Sequence, residues 1–251
     1  MCGKFTFMAT WAQVVAFSQP LTAKPTNAPE ETATPMRWAP VLHLDAKGER
    51  TQTSMRWGFS KFNKAKGYES PDLIHARDDK VLRSEVWRPH FEMRRGLLIV
   101  TSFNEGEEVP TFKPDRVTPT GKTRTVQWTI RPKDGSMLAI AVLYRDHLSP
   151  AGPILEFVQV TTPANEGIGK FVVGDPDKRM PAVLPASALP MWLGEIPASP
   201  EAVRDLLRTY EDGGAWEMRR AGEPRAGELK KDKPAHSTPK AAKTSRGPGL
   251  F

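Results

Sequence analysis

From about residue 37 to residue 165 the chain is a succession of short apolar or alternating runs separated by turn residues. That pattern commits most of this stretch to strands. Val41-Leu42-His43-Leu44 runs into a turn at Ala46-Lys47-Gly48-Glu49. Thr51 to Phe59 alternates and ends in Arg56-Trp57-Gly58-Phe59. Leu97 to Val100 is wholly apolar, as a buried strand requires. Thr125 to Arg131 and Met137 to Tyr144 flank Lys133-Asp134-Gly135-Ser136, which predicts a hairpin. Ile154 to Thr162 predicts a further strand.

Helical signals are confined to the flanks. Thr10 to Ser18 reads as a short capped helix with Trp11, Val14, Val15 and Phe17 on its apolar side. Residues 19–36, rich in Pro and Thr, read as loop. Residues 84–94 read as a helix interrupted at Pro89, and Ser187 to Leu193 as a short helix carrying Trp192. Ser199-Pro200-Glu201 has cap, first-turn proline and acid in the order a helix start prefers. Val203, Leu206, Leu207 and Tyr210 would form its apolar side, ending at Asp212-Gly213-Gly214. The expected fold is α+β: one compact β-rich domain over residues 1–218, with a barrel-like, mostly antiparallel sheet and peripheral helices. Residues 219–251, rich in Lys, Pro, Ala and Gly with few large apolar side chains, read as a basic disordered tail.

Charge narrows the function classes. The net charge is +7, but the tail holds nine Lys/Arg against three Asp/Glu, while residues 1–218 hold 27 against 26. A nucleic-acid site on the body must therefore be a local patch rather than a property of the whole molecule. A single cysteine excludes an internal disulfide and a Cys-rich metal site, and fits a reducing compartment. The five histidines, His43, His75, His90, His147 and His236, have no ligand spacing, so no metal or organic cofactor is expected. With no long apolar run and no basic-then-apolar leader, the expectation is a cytoplasmic, monomeric protein without a membrane partner.

That one cysteine is Cys2, in Met1-Cys2-Gly3-Lys4-Phe5. Loss of Met1 would put an α-amine and a thiol on the same residue. The amine can condense with an aldehyde to an imine, and the thiol can then close a five-membered thiazolidine ring. An amine pKa of roughly 7.7–8.0 and a thiol pKa of roughly 8.5 leave a minority of each nucleophilic at neutral pH, so a neighbouring base would help. Two other stretches carry candidate chemistry. His75 and Arg77, two apart in a strand, point the same way and suit a phosphate or a proton-transfer step. Glu105 lies just beyond the buried run 97–100, in Phe103-Asn104-Glu105-Gly106-Glu107-Glu108.

The order of the pieces says more than any one of them. Met1-Cys2-Gly3-Lys4-Phe5, Ala39-Pro40, Arg56-Trp57-Gly58-Phe59, Ala76-Arg77, Arg95 with a strand leading to Phe103-x-Glu105, Thr161-Thr162-x-Ala164-Asn165, and Arg179-Met180-Pro181 before Val183-Leu184 follow one another. This series resembles the SRAP family, the SOS-response-associated peptidases that process abasic sites in single-stranded DNA, over about residues 1–195. The resemblance implies a compact β-rich domain with a basic groove and a peptidase-like hydrolase and crosslinking activity, with lyase activity as a possible addition. After removal of Met1, by the protein itself or otherwise, Cys2 would form a covalent thiazolidine protein–DNA linkage at the ring-opened abasic site. Glu105 would assist Met1 removal and imine formation. Lys4, where Arg is usual, together with Arg77, Trp57 and Arg179, would contact DNA.

The series also departs from the family pattern. His75 stands where Asn is usual and Asp177 where a His is usual two residues before Arg-Met-Pro. Asn104 and Gly106 replace aromatic neighbours of the glutamate, Gly96 stands where a second cysteine is common, and the loop from Asn165 to Arg179 is longer. The absent His leaves its proton-transfer role to His75, whose imidazole titrates near neutrality, or to Asp177 or Asp175. The alternative expectation is a degenerate member that binds nucleic acid without the crosslinking chemistry.

Overall fold

Five strands close on themselves to make the centre of the molecule. The computed structural model describes residues 4–7, 31–114, 116–172, 176–211 and 215–221. In chain order the strands begin with β1 (Lys4–Phe7), β2 (Glu31–Ala33), β3 (Trp38–Leu44), β4 (Arg50–Trp57), β5 (Phe59–Asn63), β6 (Tyr68–Leu73) and β7 (His75–Arg77). A short helix α1 (Arg88–Met93) precedes β8 (Arg95–Val100), β9 (Ser102–Phe112), β10 (Pro119–Pro132), β11 (Leu138–Ser149) and β12 (Gly152–Pro163). Then come α2 (Glu166–Gly169), β13 (Arg179–Pro181), β14 (Val183–Leu184), α3 (Leu189–Leu193), α4 (Pro200–Arg204) and β15 (Trp216–Arg220). The ring runs β12–β4–β3–β8–β11 and returns to β12. A second sheet has the order β15–β10–β9–β1–β2, and β5–β6 is a separate hairpin. Pairing is antiparallel except where β12 meets β4 and β7. The expected β-rich, barrel-like architecture is the one formed.

The composition of the ring strands follows from their having two covered faces. Leu97 and Ile99 of β8, with Ala139, Ala141 and Leu143 of β11, pack with Phe91, Leu189, Trp192 and Val203 from the helices. Helices cannot enter a five-stranded barrel, so this face is the outer one. Leu98 and Val100, with Val41, Met55, Trp57, Ile140, Val142 and Phe157, face the other way and join Phe5, Phe103, Ile130 and Trp216 of the second sheet. A strand buried on both faces has no polar alternation to show, which is why Leu97 to Val100 reads as a continuous apolar run. Gly96 has no room for a side chain there: an added Cβ would lie 2.7 Å from Val41 Cγ1 and 2.9 Å from the Leu42 carbonyl oxygen.

Several local expectations change. The turn at Lys133–Ser136 exists, but it joins no hairpin: β10 pairs with β9 and β15, whereas β11 pairs with β8, β12 and β14. The turn passes the chain between sheets, and the Lys133 amide donates to the Ala215 carbonyl at 2.7 Å. Pro89 starts α1 rather than interrupting it, since its missing N–H falls in the first turn. Ser199 caps α4 by accepting from the Ala202 amide at 3.2 Å, but regular helix stops at Arg204, well short of Asp212. Arg219 and Arg220, assigned to the tail, belong to β15 and pair with Thr129 and Trp128. The expected helix at Thr10–Ser18 and the remainder of the tail lie outside the described residues.

The Arg56-Trp57-Gly58-Phe59 sequence is explained residue by residue. Arg56 Nη2 lies 2.6 Å from Glu156 Oε1 and 2.8 Å from Glu69 Oε2. Trp57 faces the inner core and Phe59 the outer one. Between them the backbone turns at Gly58 with φ +108, and an added Cβ would press on Pro71 and Ile74. Glu156 is fully buried and accepts from Arg56, Arg145 and the Ser60 hydroxyl and amide. Burial pushes its carboxyl up, but these donors outweigh burial and hold it below the usual carboxylate range. A carboxyl lowered in the folded state lends stability above its unfolded pKa and loses it as pH falls through the folded value. Glu156→Gln should therefore cost about 3 kcal/mol at pH 7, because Arg145 loses its carboxylate and Arg56 keeps only Glu69. Urea unfolding should show that gap closing as pH falls from the unfolded carboxyl's ordinary value of about 4.3 through the lower folded one.

Candidate functional site

The second sheet carries its chemistry in rungs. Directly opposed residues of antiparallel strands share a face, and alternate residues along a strand return to it. Ala33, Phe5, Phe103, Ile130 and Met218 are opposed in turn across β2, β1, β9, β10 and β15. They form one apolar rung of the inner core. Two residues further along β9 on the same face is Glu105, opposed by Trp128, which is opposed in turn by Arg220. A carboxylate, an indole and a guanidinium thus form the next rung. Glu105 is 1% exposed. Residues 103–108 all belong to β9, and the first of the three acids faces inward. Gly106 points to the opposite face, where a Cβ would come within 2.7 Å of Thr125 Cγ2.

The chain start leads to this rung. Lys4 is opposed to Asn104 and Phe5 to Phe103. Cys2 lies outside the described residues, but two trans peptide links keep its Cα within about 7.6 Å of that of Lys4. Lys4 shares a sheet face with the buried Asn104, opposite the face of Phe5 and Phe103. Asn104 Nδ2 donates to Thr129 Oγ1 at 3.0 Å on that face.

Phe5 ties β1 to the barrel. Its ring lies 4.7 Å from that of Trp57, which stacks on Phe157 at 6.2 Å and meets His75 edge-on at 6.3 Å. Trp57 Nε1 donates to the Ile74 carbonyl at 3.2 Å. His75 and Arg77 share a strand face as expected, in parallel register with Gln159 and Thr161 of β12. The Gln159 amide is fully buried, and neither of its polar atoms has a hydrogen-bond partner among the described residues.

Two arginines expected at DNA differ sharply. Arg77 is one-third exposed and paired with Asp79 and Asp177. Hydrogen bonds donated to those two carboxylates raise its pKa further, Asp79 contributing more. Asp177 is thus a partner of Arg77. Arg179 is only 4% exposed and is bound to Asp78 and to Thr161, with Nε 3.0 Å from Thr161 Oγ1. It braces β13 against β12, and a guanidinium so enclosed is not placed to grip a phosphate. Trp57 corrects the expectation in the same way: at 0% exposure it offers no face for a base.

The sequence profile of one family matches residues 1–221, nearly the whole described body. That match covers the Cys2 and Glu105 positions as well as β15. The chain belongs to the SOS response associated peptidase (SRAP) family. Membership links it to the response to DNA damage and suggests abasic-site processing and DNA binding. Solved structures agree on the fold. A protein from Bordetella bronchiseptica aligns with TM-score 0.65 at 17% identity, over 87% of this chain and 99% of its own. A phage-related protein from the same organism aligns at TM-score 0.66 and 17% identity, over 88% and 95%. A Bacteroides thetaiotaomicron protein aligns at 0.62 and 16%, over 87% and 91%. No curated protein sequence matches. No helix among the described residues is long and apolar enough to cross a membrane.

The structure thus brings Glu105 beside the start of β1, and His75 against Trp57 with Arg77 on the same strand face. Arg179 lies in a buried brace. Sequence reasoning missed Trp128 and Arg220, which join the Glu105 rung only through the registers of β9 with β10 and of β10 with the distant β15. The Arg77–Asp177 pair yields a direct expectation. Asp177→Asn should tighten binding of intact single-stranded DNA about two- to fivefold at low salt, since it removes a competing anion from a partly exposed cation. Fluorescence anisotropy titrations should show that gain fading as salt rises.

Proposed function

We propose that this SRAP protein traps abasic sites in single-stranded DNA as a thiazolidine on Cys2, with Glu105 moving the protons. The observation carrying this reading is the β1–β9 register, in which Lys4 opposes Asn104 and the next residue of β9 is the inward-facing Glu105. Hydrolysis of the Met1–Cys2 peptide bond consumes one water and exposes the amine. The amine then adds to the aldehyde C1′ of the ring-opened sugar, and loss of one water gives the imine. Addition of the thiol sulfur to the imine carbon, with its proton passing to nitrogen, closes the ring. No oxidant or reductant is needed. A carboxylate in an enclosed rung can accept the ammonium proton and return it to the departing hydroxyl. His75, held edge-on by Trp57, is the further proton-transfer group we assign. Arg77 is the phosphate contact, taking a phosphate in exchange for Asp177. Lys4 supplies charge from the sheet face opposite Phe5.

A second reading has one observation in its favour. Asp177, where the resemblance leads one to expect a His, is occupied by Arg77 and is poorly placed as an acid. A member without that group would bind single-stranded DNA in a salt-sensitive way and leave no covalent product.

Incubation with single-stranded DNA carrying one abasic site, followed by a denaturing gel, separates the two. The trapping reading predicts a heat-stable band that is lost with Cys2→Ala and slowed about 100-fold or more with Glu105→Gln, the usual scale for a general acid–base group. His75→Ala should slow it less. No band from protein whose intact mass shows Cys2 at the N-terminus would favour the noncovalent reading.

A further inference from the structure

Outside the proposed reaction groups, the most pointed arrangement is the rest of the Glu105 rung. Trp128 is half-buried and stands between Glu105 on one side and Arg220 on the other. Its indole Nε1 donates to Glu107 Oε2 at 2.7 Å, which fixes the ring plane. The Phe171 ring, also half-buried, lies 4.6 Å from it, centroid to centroid. The exposed Arg220 guanidinium lies over the Trp128 ring, 5.6 Å from its centroid, where a base would take its place as the guanidinium moves to a phosphate. Along β10, Val126 and the exposed Arg124 continue on the same face. A core aromatic pair would be enclosed and uncharged, as Trp57 and Phe157 are. This pair is partly open, oriented by a hydrogen bond and flanked by cations on the strand and across it.

We propose that Trp128, braced by Phe171, is a base-stacking platform for a nucleotide next to the abasic site, with Arg220 contacting the backbone phosphate. This rests on the reading that Glu105 serves an abasic sugar. The platform and the carboxylate are opposed across one strand pair, so their Cα atoms are about 4.5–5.5 Å apart. A base stacked on the indole would therefore leave the neighbouring sugar beside Glu105. An aromatic face together with a cation is the combination that holds single-stranded nucleic acid with little sequence preference, because every base has a π-face and every linkage a phosphate. Such a platform also suits a lesion that has no base of its own to be recognised.

The test uses intact single-stranded DNA first, so it does not depend on crosslinking. Trp128→Leu should weaken binding about 10-fold or more, the scale of one base–aromatic stack. Trp128→Phe, which keeps the face but loses the Glu107 bond, should stay within about threefold of wild type. Arg220→Ala should lower the salt slope by about one. An oligonucleotide in which the two nucleotides flanking the lesion are abasic spacers should bind wild type and Trp128→Leu alike, which a merely structural role for Trp128 would not produce. Thermal unfolding of each variant establishes that it is folded. Wild-type affinity in folded Trp128→Leu, or a difference that persists with the spacer flanks, would overturn the platform. Failure of the covalent band alone would leave these binding results standing and would overturn only the trapping chemistry.

Discussion

Three residues of antiparallel register hold the N-terminus to the rest of the molecule: Lys4 on Asn104, Phe5 on Phe103, Thr6 on Ser102. A slip of one residue would turn Phe5 outward and send Lys4 into the core, because the side-chain period of a strand is two. Phe5 guards against that slip. It fills the space between Phe103 of its own sheet and Trp57 of the barrel, with full burial. The burial of one phenylalanine side chain is worth about 1.5–3 kcal/mol. That energy fixes where β1 begins relative to Glu105.

The same physics separates structural from functional parts of the short shared motifs. Arg56-Trp57-Gly58-Phe59 looks like a surface for DNA when read as letters, since it joins a cation to an aromatic. In the fold each of the four is committed internally. Arg56 pairs with Glu156, Trp57 fills the barrel, Gly58 turns the chain at positive φ and Phe59 packs outward. Arg179-Met180-Pro181 is similar, with its arginine committed to Asp78 and Thr161. Trp128 and Arg220 of the Glu105 rung, by contrast, keep part of their surface open.

Much of the barrel was legible because buried strands announce themselves by continuous apolar runs, as in Leu97–Val100. Glu105 was legible as an acid following such a run. Its burial was not, since three nearby acids suggest a solvated turn unless one knows that β9 continues through them. The hairpin expected across Lys133–Ser136 shows the limit of local signals. Its turn chemistry is real, with Gly135 at φ +74, but partner choice is settled by distant strands. Trp128 and Arg220 had no sequence signal at all, because Trp128 meets Glu105 only through the β9–β10 register and Arg220 meets Trp128 only through the β10–β15 register.

Under the proposed function, Cys2 is the nucleophile. Peptide mass spectrometry after incubation with abasic single-stranded DNA, nuclease trimming and proteolysis tests it most directly. The account predicts a sugar-phosphate remnant on the N-terminal peptide, at a Cys2 from which Met1 has been lost and with one water expelled. A remnant on a lysine such as Lys4, or on a peptide that still carries Met1, would contradict it.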